Sequence, residues 1–289
     1  MSLYLNYDRA ALDAQYFLRG RHKDFQQHLD RYESESARTV AALGCRRNVP
    51  YGPSPEETLD VFPARTPGSP VQVFIHGGYW QAQDKRSYSF VAGPLVAAGA
   101  AAVVINYALA PTVGLDEIVR QVRAAVAWTV LHAREFNGDP ERIHVSGHSA
   151  GGHLTAMMLI TDWAELGEQG RALPAVPVKS GYAISGLFDL EPVRMCYLNE
   201  VLNMDEATAH RNSPLHHLPV RGVPLMALVG GAETDEFIRQ NVTFAAAWRA
   251  KGFPTQEVVA PELNHFTILH ALAEADHPLT RAMLTMMGL

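Results

Sequence analysis

Residues 147–151 of the 289-residue chain read Gly-His-Ser-Ala-Gly and contain a candidate nucleophile, Ser149. An apolar run at Ile143–Ser146 precedes them and a helical pattern over Gly151–Thr161 follows, so the serine falls on a strand–turn–helix junction. Flanking glycines permit a tight turn, and the helix N-terminus favours developing negative charge. The pattern predicts attack by Ser149 on a carbonyl carbon; the alternative is a serine that merely caps a helix.

A second motif, His76-Gly77-Gly78-Tyr79-Trp80, directly follows a predicted strand at Val71–Ile75. Two consecutive glycines let the backbone approach a substrate, so that N–H groups of Gly78 and Tyr79 can point at a carbonyl oxygen. With the N–H of Ala150 they would bind the oxyanion of a tetrahedral intermediate, where one donor contributes about 3–4 kcal/mol. A Gly-Gly turn is common by itself, but the two motifs together indicate an acyl-transfer site.

A nucleophilic serine needs a base, and position must select it among thirteen histidines. His265 comes after the last predicted strand, Thr255–Val259, and before the last helical segment. His148 adjoins the serine, but as the variable residue of the turn it is expected to point away from the nucleophile. His265 is therefore the predicted base.

The acid that orients the base should follow the predicted strand Val223–Val229. Glu233 and Asp235 are both candidates, while Glu236 is better placed to start the next helix. A carboxylate that is not catalytic would be a solvated charge at that helix start, where the helix dipole favours it.

Patterns for metals and nucleotides are missing from the sequence. His144, His148 and His153 fall on strand, turn and helix and should diverge, and His216-His217 have no cysteine or carboxylate at ligand spacing. Neither a G-x-G-x-x-G segment that opens a helix nor a P-loop is present. We expect no metal and no cofactor.

The elements that must position these residues alternate between strands and helices. Further short apolar strands are predicted at Leu59–Phe62, Ala101–Tyr107 and Val178–Ile184, with helical spacing at Ile118–Phe136 and Glu236–Lys251. Such alternation favours a mostly parallel sheet with helices on both faces.

Two regions interrupt this rhythm. Residues 1 to about 45 have amphipathic helical spacing, and residues from about 189 to 219 suggest several short helices that form a small cap over one end of the sheet. The segment from Asn48 to Pro70 is rich in proline and glycine and is expected to be a loop apart from its one strand. Nothing resembles a linker, so residues 1–289 are expected to form a single domain.

Composition excludes several classes of protein. Hydrophobic residues make up 47% and charged residues 19%, as in a chain that buries a core. The net charge of −6 gives no attraction to phosphate backbones, so we expect no nucleic-acid partner. Two cysteines are too few for a disulfide scaffold. Without a secretory signal or an apolar stretch of about 20 residues, we expect a cytoplasmic protein with no membrane contact; its oligomeric state stays open, a homodimer included.

The stretches HGGYW, GHSAGGH and GYAISGLFDLEPV resemble the arylformamidase (kynurenine formamidase) branch of the α/β-hydrolase superfamily. The resemblance covers the chain from about residue 14 onwards. Tyr79-Trp80 stand where many esterases have a third glycine, which favours this branch over generic esterases. The resemblance implies an α/β-hydrolase fold and a triad of Ser149, Glu233 and His265. In one departure, the acid is Glu where many relatives carry Asp, which keeps Asp235 as a rival.

The resemblance also implies an N-formyl aryl amide substrate that is cleaved to formate and an arylamine. Because a formyl group has little volume, the enzyme is expected to recognise its small-molecule substrate mainly through the arylamine part. A broad carboxylesterase is the main alternative, and a non-catalytic binding protein is disfavoured because every triad member has a candidate. The candidate substrate contacts, with core packing as the competing explanation, are Tyr79, Trp80, Leu187 and Phe188, together with cap residues near Met195 and Tyr197.

Overall fold

An eight-stranded sheet lies at the centre of the computed structural model, which describes residues 2–165, 167–168 and 171–289. Its order is β1-β2-β4-β3-β5-β8-β9-β10, and only the pairings of β1 with β2 and of β2 with β4 are antiparallel. β6 and β7 pair antiparallel in a separate two-stranded sheet. The strands are β1 Arg46–Pro50, β2 Thr58–Phe62, β3 Ser69–Ile75, β4 Ala101–Ile105, β5 Gly138–His148, β6 Gly167–Glu168, β7 Arg171–Ala172, β8 Val178–Ile184, β9 Leu225–Gly230 and β10 Thr255–Ala260.

Helices cover both faces of the sheet, which confirms the predicted α/β architecture. One face packs against α1, α2, α5, α6 and α10, and the other against α3, α4, α11 and α12. No helix in the described ranges is long and apolar enough to cross a bilayer. The helices are α1 Arg9–Tyr16, α2 Leu18–Arg21, α3 Phe25–Leu43, α4 Ala92–Ala97, α5 Leu115–His132, α6 Ala150–Ile160, α7 Glu191–Arg194, α8 Asn199–Leu202, α9 Glu206–Arg211, α10 Asp235–Ala250, α11 Thr267–Ala273 and α12 Pro278–Met286.

The inner strands of the sheet form because their side chains are buried on both faces. Every residue of β3, β4 and β9 is buried, as in the apolar runs from which these strands were predicted. In the register of the sheet, Ile75 at the end of β3 pairs with Gly147, and Ile184 at the end of β8 pairs with His148. The carboxyl ends of the parallel strands therefore meet at one edge, where the motif residues follow them.

The first strand is the largest difference from the sequence expectation. Residues 46–50 form β1, whereas the segment from residue 48 to 70 was expected to be a loop with a single strand. The sequence Arg-Arg-Asn-Val-Pro has no apolar alternation because β1 is an exposed edge strand that is held only by β2. β5 is also longer than the predicted Ile143–Ser146. The prediction begins too late because most of the first residues of β5 are polar and partly exposed and so lack the apolar pattern of a buried strand.

The N-terminal helices pack beside the edge of the sheet that carries the motifs. The hydroxyl of Tyr79 donates a hydrogen bond to the carbonyl of Tyr16 at 2.8 Å, and Thr234 Oγ1 donates to the carbonyl of Gln15 at 2.9 Å. Further along, the Tyr32 hydroxyl donates to the carbonyl of Phe266 at 2.5 Å. These bonds join the start of the chain to loops that follow β3, β9 and β10.

Candidate active site

Ser149 occupies a strained turn between β5 and α6. Its backbone has φ 59° and ψ −118°. Residues other than glycine rarely adopt this conformation, and it recurs at functional sites. The N–H of Ser149 donates to the carbonyl of Ile184 at 2.8 Å, which fixes the turn against the end of β8. A Cβ atom on Gly151 would lie 2.0 Å from the carbonyl oxygen of Ile75, so only glycine fits there. The turn therefore has the geometry of a nucleophile elbow.

The loop after β3 brings backbone donors to the same place. Gly78 has φ 106°, and a Cβ atom on it would lie 2.0 Å from the carbonyl oxygen of Ala82. The N–H groups of Gly78 and Tyr79 find no acceptor within the described part of the chain. Ala150 is the first residue of α6, where an N–H has no partner inside the helix. Three N–H groups are thus available to an oxyanion.

His265 and Glu233 form a buried pair. His265 Nδ1 lies 2.6 Å from Glu233 Oε2, and both side chains are almost completely buried. The other carboxylate oxygen, Oε1, accepts hydrogen bonds from the N–H of Gly230 at 2.8 Å and from Ser185 Oγ at 2.5 Å. With Nδ1 donating to the carboxylate, Nε2 of His265 carries the lone pair that can accept a proton.

The rival carboxylate lies elsewhere. Asp235 is the exposed first residue of α10, where its charge interacts favourably with the helix N-terminus. The structure therefore brings His265 to Glu233 and leaves Asp235 in solvent. Sequence reasoning missed Ser185, which directly follows β8; its position after a strand at the motif-bearing edge was the available signal.

Ser149 and His265 line one cavity of about 490 Å³. Of the residues predicted to contact substrate, Tyr79 lines this cavity, as does Tyr197 from the cap region. His148 lines it as well, and its ring packs against that of His265 with centroids 4.4 Å apart, a contact with the predicted base that the sequence did not reveal. Most of one wall comes from the N-terminal helices and their connections, with Phe17, Leu18, Arg19, Phe25, Leu29 and Tyr32.

Four other predicted substrate contacts do not line the cavity, namely Trp80, Leu187, Phe188 and, in the cap region, Met195. Trp80, Leu187 and Phe188 are 0% exposed, because each is closed into the core. Phe188 stacks on Phe244 with ring centroids 4.2 Å apart. Core packing, the competing explanation, is what the structure shows for these fully buried residues.

Trp80 instead belongs to a buried hydrogen-bonded chain. Its Nε1–H donates to His153 Nδ1 at 3.2 Å, and His153 Nε2 donates to the carbonyl of Asn212 at 2.7 Å. Burial lowers the pKa of His153 to about 4, while the carbonyl of Asn212 opposes this shift. A second proton on Nδ1 would face the indole N–H, so the chain requires a neutral imidazole.

We therefore expect His153 to make the fold sensitive to acid. The unfolded chain binds the proton near pH 6.5 and the folded one only near 4, so the unfolding free energy falls as pH drops through this window. The contribution of His153 is on the order of 2 kcal/mol by pH 4.5. Urea denaturation at pH 7 and pH 4.5 gives the unfolding free energy at each pH. Between the two, His153→Gln should lose less unfolding free energy than wild type, whereas exposed His217→Gln should lose as much as wild type. Equal losses in wild type and His153→Gln would contradict the assignment.

Along the chain, Ser149 follows β5, Glu233 follows β9 and His265 follows β10. This order of serine, carboxylate and histidine is the one found in α/β-hydrolases. The protein is an enzyme of that class. A provisionally assigned thioesterase from Silicibacter sp. tm1040 has a similar crystal structure, with a TM-score of 0.82 and 31% identity over 93% of this chain and 97% of that one. The BD-FAE family model matches residues 59–234.

Curated sequences narrow the class. Kynurenine formamidase of Danio rerio is 33% identical over 90% of this chain and 88% of its own length. That of Salmo salar is 34% identical over 83% of this chain and 81% of its own length. The chain belongs to the kynurenine formamidase branch of the α/β-hydrolases.

Proposed function

We propose that this enzyme hydrolyses N-formyl aryl amides, N-formylkynurenine among them, to formate and a free arylamine. The observation that carries the proposal is the cavity, which has Ser149 and His265 in its lining and a wall rich in aromatic side chains. The names of the curated relatives support the same substrate class.

In the first step, Ser149 Oγ attacks the formyl carbon while His265 Nε2 takes the hydroxyl proton. Glu233 holds the imidazole by its 2.6 Å hydrogen bond and stabilises the imidazolium that forms. The negative charge on the carbonyl oxygen is bound by the N–H groups of Gly78, Tyr79 and Ala150. These donors are already in place, so little reorganisation accompanies the development of charge.

In the second step, His265 returns its proton to the amide nitrogen, the C–N bond breaks and the arylamine leaves. The formyl group is now an ester of Ser149. Water attacks that ester with His265 as base, which releases formate and restores the serine hydroxyl. One water is consumed, and no oxidant, reductant or cofactor takes part.

The leaving group is recognised by the wall opposite the small formyl group. Phe17, Phe25 and Tyr32 provide ring faces and edges for an aryl group. Among the described residues that line the cavity, Arg19 is the only one with a permanent charge, and its guanidinium lies 5.4 Å from the ring centre of Phe25. An arginine in this position can bind a carboxylate on the substrate by paired hydrogen bonds.

Steady-state rates on matched substrates test the proposal. We expect kcat/KM to fall from N-formylkynurenine to formanilide and further to acetanilide, and formanilide to be cleaved far faster than a simple p-nitrophenyl ester. Arg19→Ala should lower kcat/KM for N-formylkynurenine about tenfold, as for a charged hydrogen bond, and leave formanilide unchanged.

The neighbouring Arg21 provides the matched control. It is exposed but does not line the cavity, so Arg21→Ala should affect neither substrate. A preference for the ester over both formamides would instead assign the enzyme as a carboxylesterase. Equal losses on both formamides in Arg19→Ala would refute carboxylate binding by Arg19.

A further inference from the structure

His148, the last residue of β5, is a buried histidine that the mechanism above does not use. Its ring centroid lies 4.4 Å from that of His265, and the two planes are tilted by 48°. Its Nδ1 is beside the oxyanion loop, since a Cβ atom on Gly77 would lie 3.4 Å from it. The imidazole thus lies between the loop that follows β3 and the histidine that follows β10.

Other rings also pack on His265. The ring centroid of Phe237 lies 4.7 Å from it, and Phe266 meets it edge-on at 5.7 Å. Together with the hydrogen bond from Nδ1 to Glu233, these contacts restrict the rotation of the His265 ring. Of the three packing rings, His148 is the one adjacent in sequence to Ser149, and both line the cavity.

The nitrogens of His148 set it apart from an ordinary packing residue. Neither has a hydrogen-bond partner of good geometry in the described part of the chain, which is unusual and unfavourable for a buried polar group. Burial and repulsion from a protonated His265 hold the pKa of His148 well below 6.5, whereas the backbone of His265 acts in the opposite direction. The ring is therefore uncharged at neutral pH.

We propose that His148 is a positioning residue for the base: its ring holds the imidazole of His265 in the orientation that serves both Glu233 and Ser149. The proposal rests on the triad of the proposed function. A neutral imidazole packs like an aromatic ring and can also turn a lone pair toward the imidazolium that forms on His265. A phenyl ring supplies only the packing, and a cationic side chain would repel the charge.

Substitutions that separate these contributions test the proposal. His148→Ala should lower kcat on formanilide about a hundredfold at unchanged KM, because a misplaced base costs rate rather than binding. His148→Phe should restore most of that loss and remain about tenfold below wild type. The proton shared by His265 Nδ1 and Glu233 should give a far-downfield NMR resonance in wild type and in His148→Phe, and it should be broadened by exchange in His148→Ala.

His144 is the matched control. It lies four residues earlier on β5, is equally buried, binds Ser180 Oγ and does not line the cavity. His144→Ala should keep kcat within twofold and leave the resonance sharp. If His148→Ala proves unstable in denaturation, His148→Leu takes its place.

Two results would overturn the proposal. The first is an alanine variant with kcat within threefold of wild type and an intact resonance; the second is a rise in KM alone, which would make His148 a substrate contact. Ser149→Ala, prepared in parallel, keeps the two proposals distinguishable. Residual turnover in that variant would refute the triad, whereas the resonance still reports how His148 holds His265.

Discussion

Replacement of Ser149 by alanine is expected to abolish hydrolysis of formyl aryl amides, with kcat at least about 10⁴-fold below wild type. The hydroxyl is the only group proposed to bond to the formyl carbon, and the remaining oxyanion donors cannot replace it. The fold should survive, because removal of one oxygen leaves the turn between β5 and α6 with its hydrogen bond to Ile184. Single-turnover rates with formanilide measure the effect.

A covalent probe gives the control for this variant. An organophosphonate should label wild-type enzyme once, at Ser149, and should not label Ser149→Ala. Unfolding midpoints of the two proteins should agree closely. Residual turnover above about one per cent of wild type, with label on another residue, would show that the nucleophile lies elsewhere.

Glu233→Gln is expected to lower kcat by about 10³–10⁴-fold, the scale found when a triad carboxylate becomes an amide. The carboxylate accepts from His265 Nδ1, from the N–H of Gly230 and from Ser185 Oγ. An amide at this position can turn its N–H₂ toward the histidine, which would reverse the tautomer and remove the lone pair from Nε2.

Asp235→Asn is the matched control for Glu233. Asp235 is exposed at the start of α10, so its loss should change kcat by less than about twofold and reduce stability by no more than about 1 kcal/mol through the helix dipole. Circular dichroism and denaturation curves verify that both variants fold. A larger loss of activity at Asp235 than at Glu233 would transfer the proposed acid role to Asp235.

The sequence predicts the sheet and the tight turn at Ser149 well because both depend on local signals. Short apolar runs such as Val71–Ile75 are typical of inner strands. Residue 151 must be glycine because a Cβ atom there would lie 2.0 Å from the carbonyl oxygen of Ile75. β1 is different, because its polar residues acquire strand structure only through pairing with β2. No local pattern contains that information.

The cavity is harder to predict because it depends on which way side chains turn and on contacts between distant residues. Trp80 ends the motif that predicts the oxyanion donors, yet its indole turns into the core toward His153. Phe17 lies between α1 and α2 and Phe25 begins α3, in a region with no chemical motif. They reach the site because residues such as Tyr32 bond to loops more than 200 positions later. The contact between His148 and His265 is hidden for the same reason, since strand alternation does not show how close the loop after β10 brings His265.

One wall of the cavity comes from residues between Phe17 and Tyr32, so the proposed recognition of the amine and the proposed chemistry belong to different parts of the chain. The groups proposed to break the bond follow strands of the sheet, where a shift of one residue would dismantle the reaction. The groups proposed to contact the amine lie in the N-terminal helices and their connections, which precede every strand and supply none of the groups proposed to react. In evolutionary terms, the proposed roles uncouple specificity from catalysis: we expect mutations in the first 45 residues to alter which arylamine is released while selection preserves the same hydrolytic machinery.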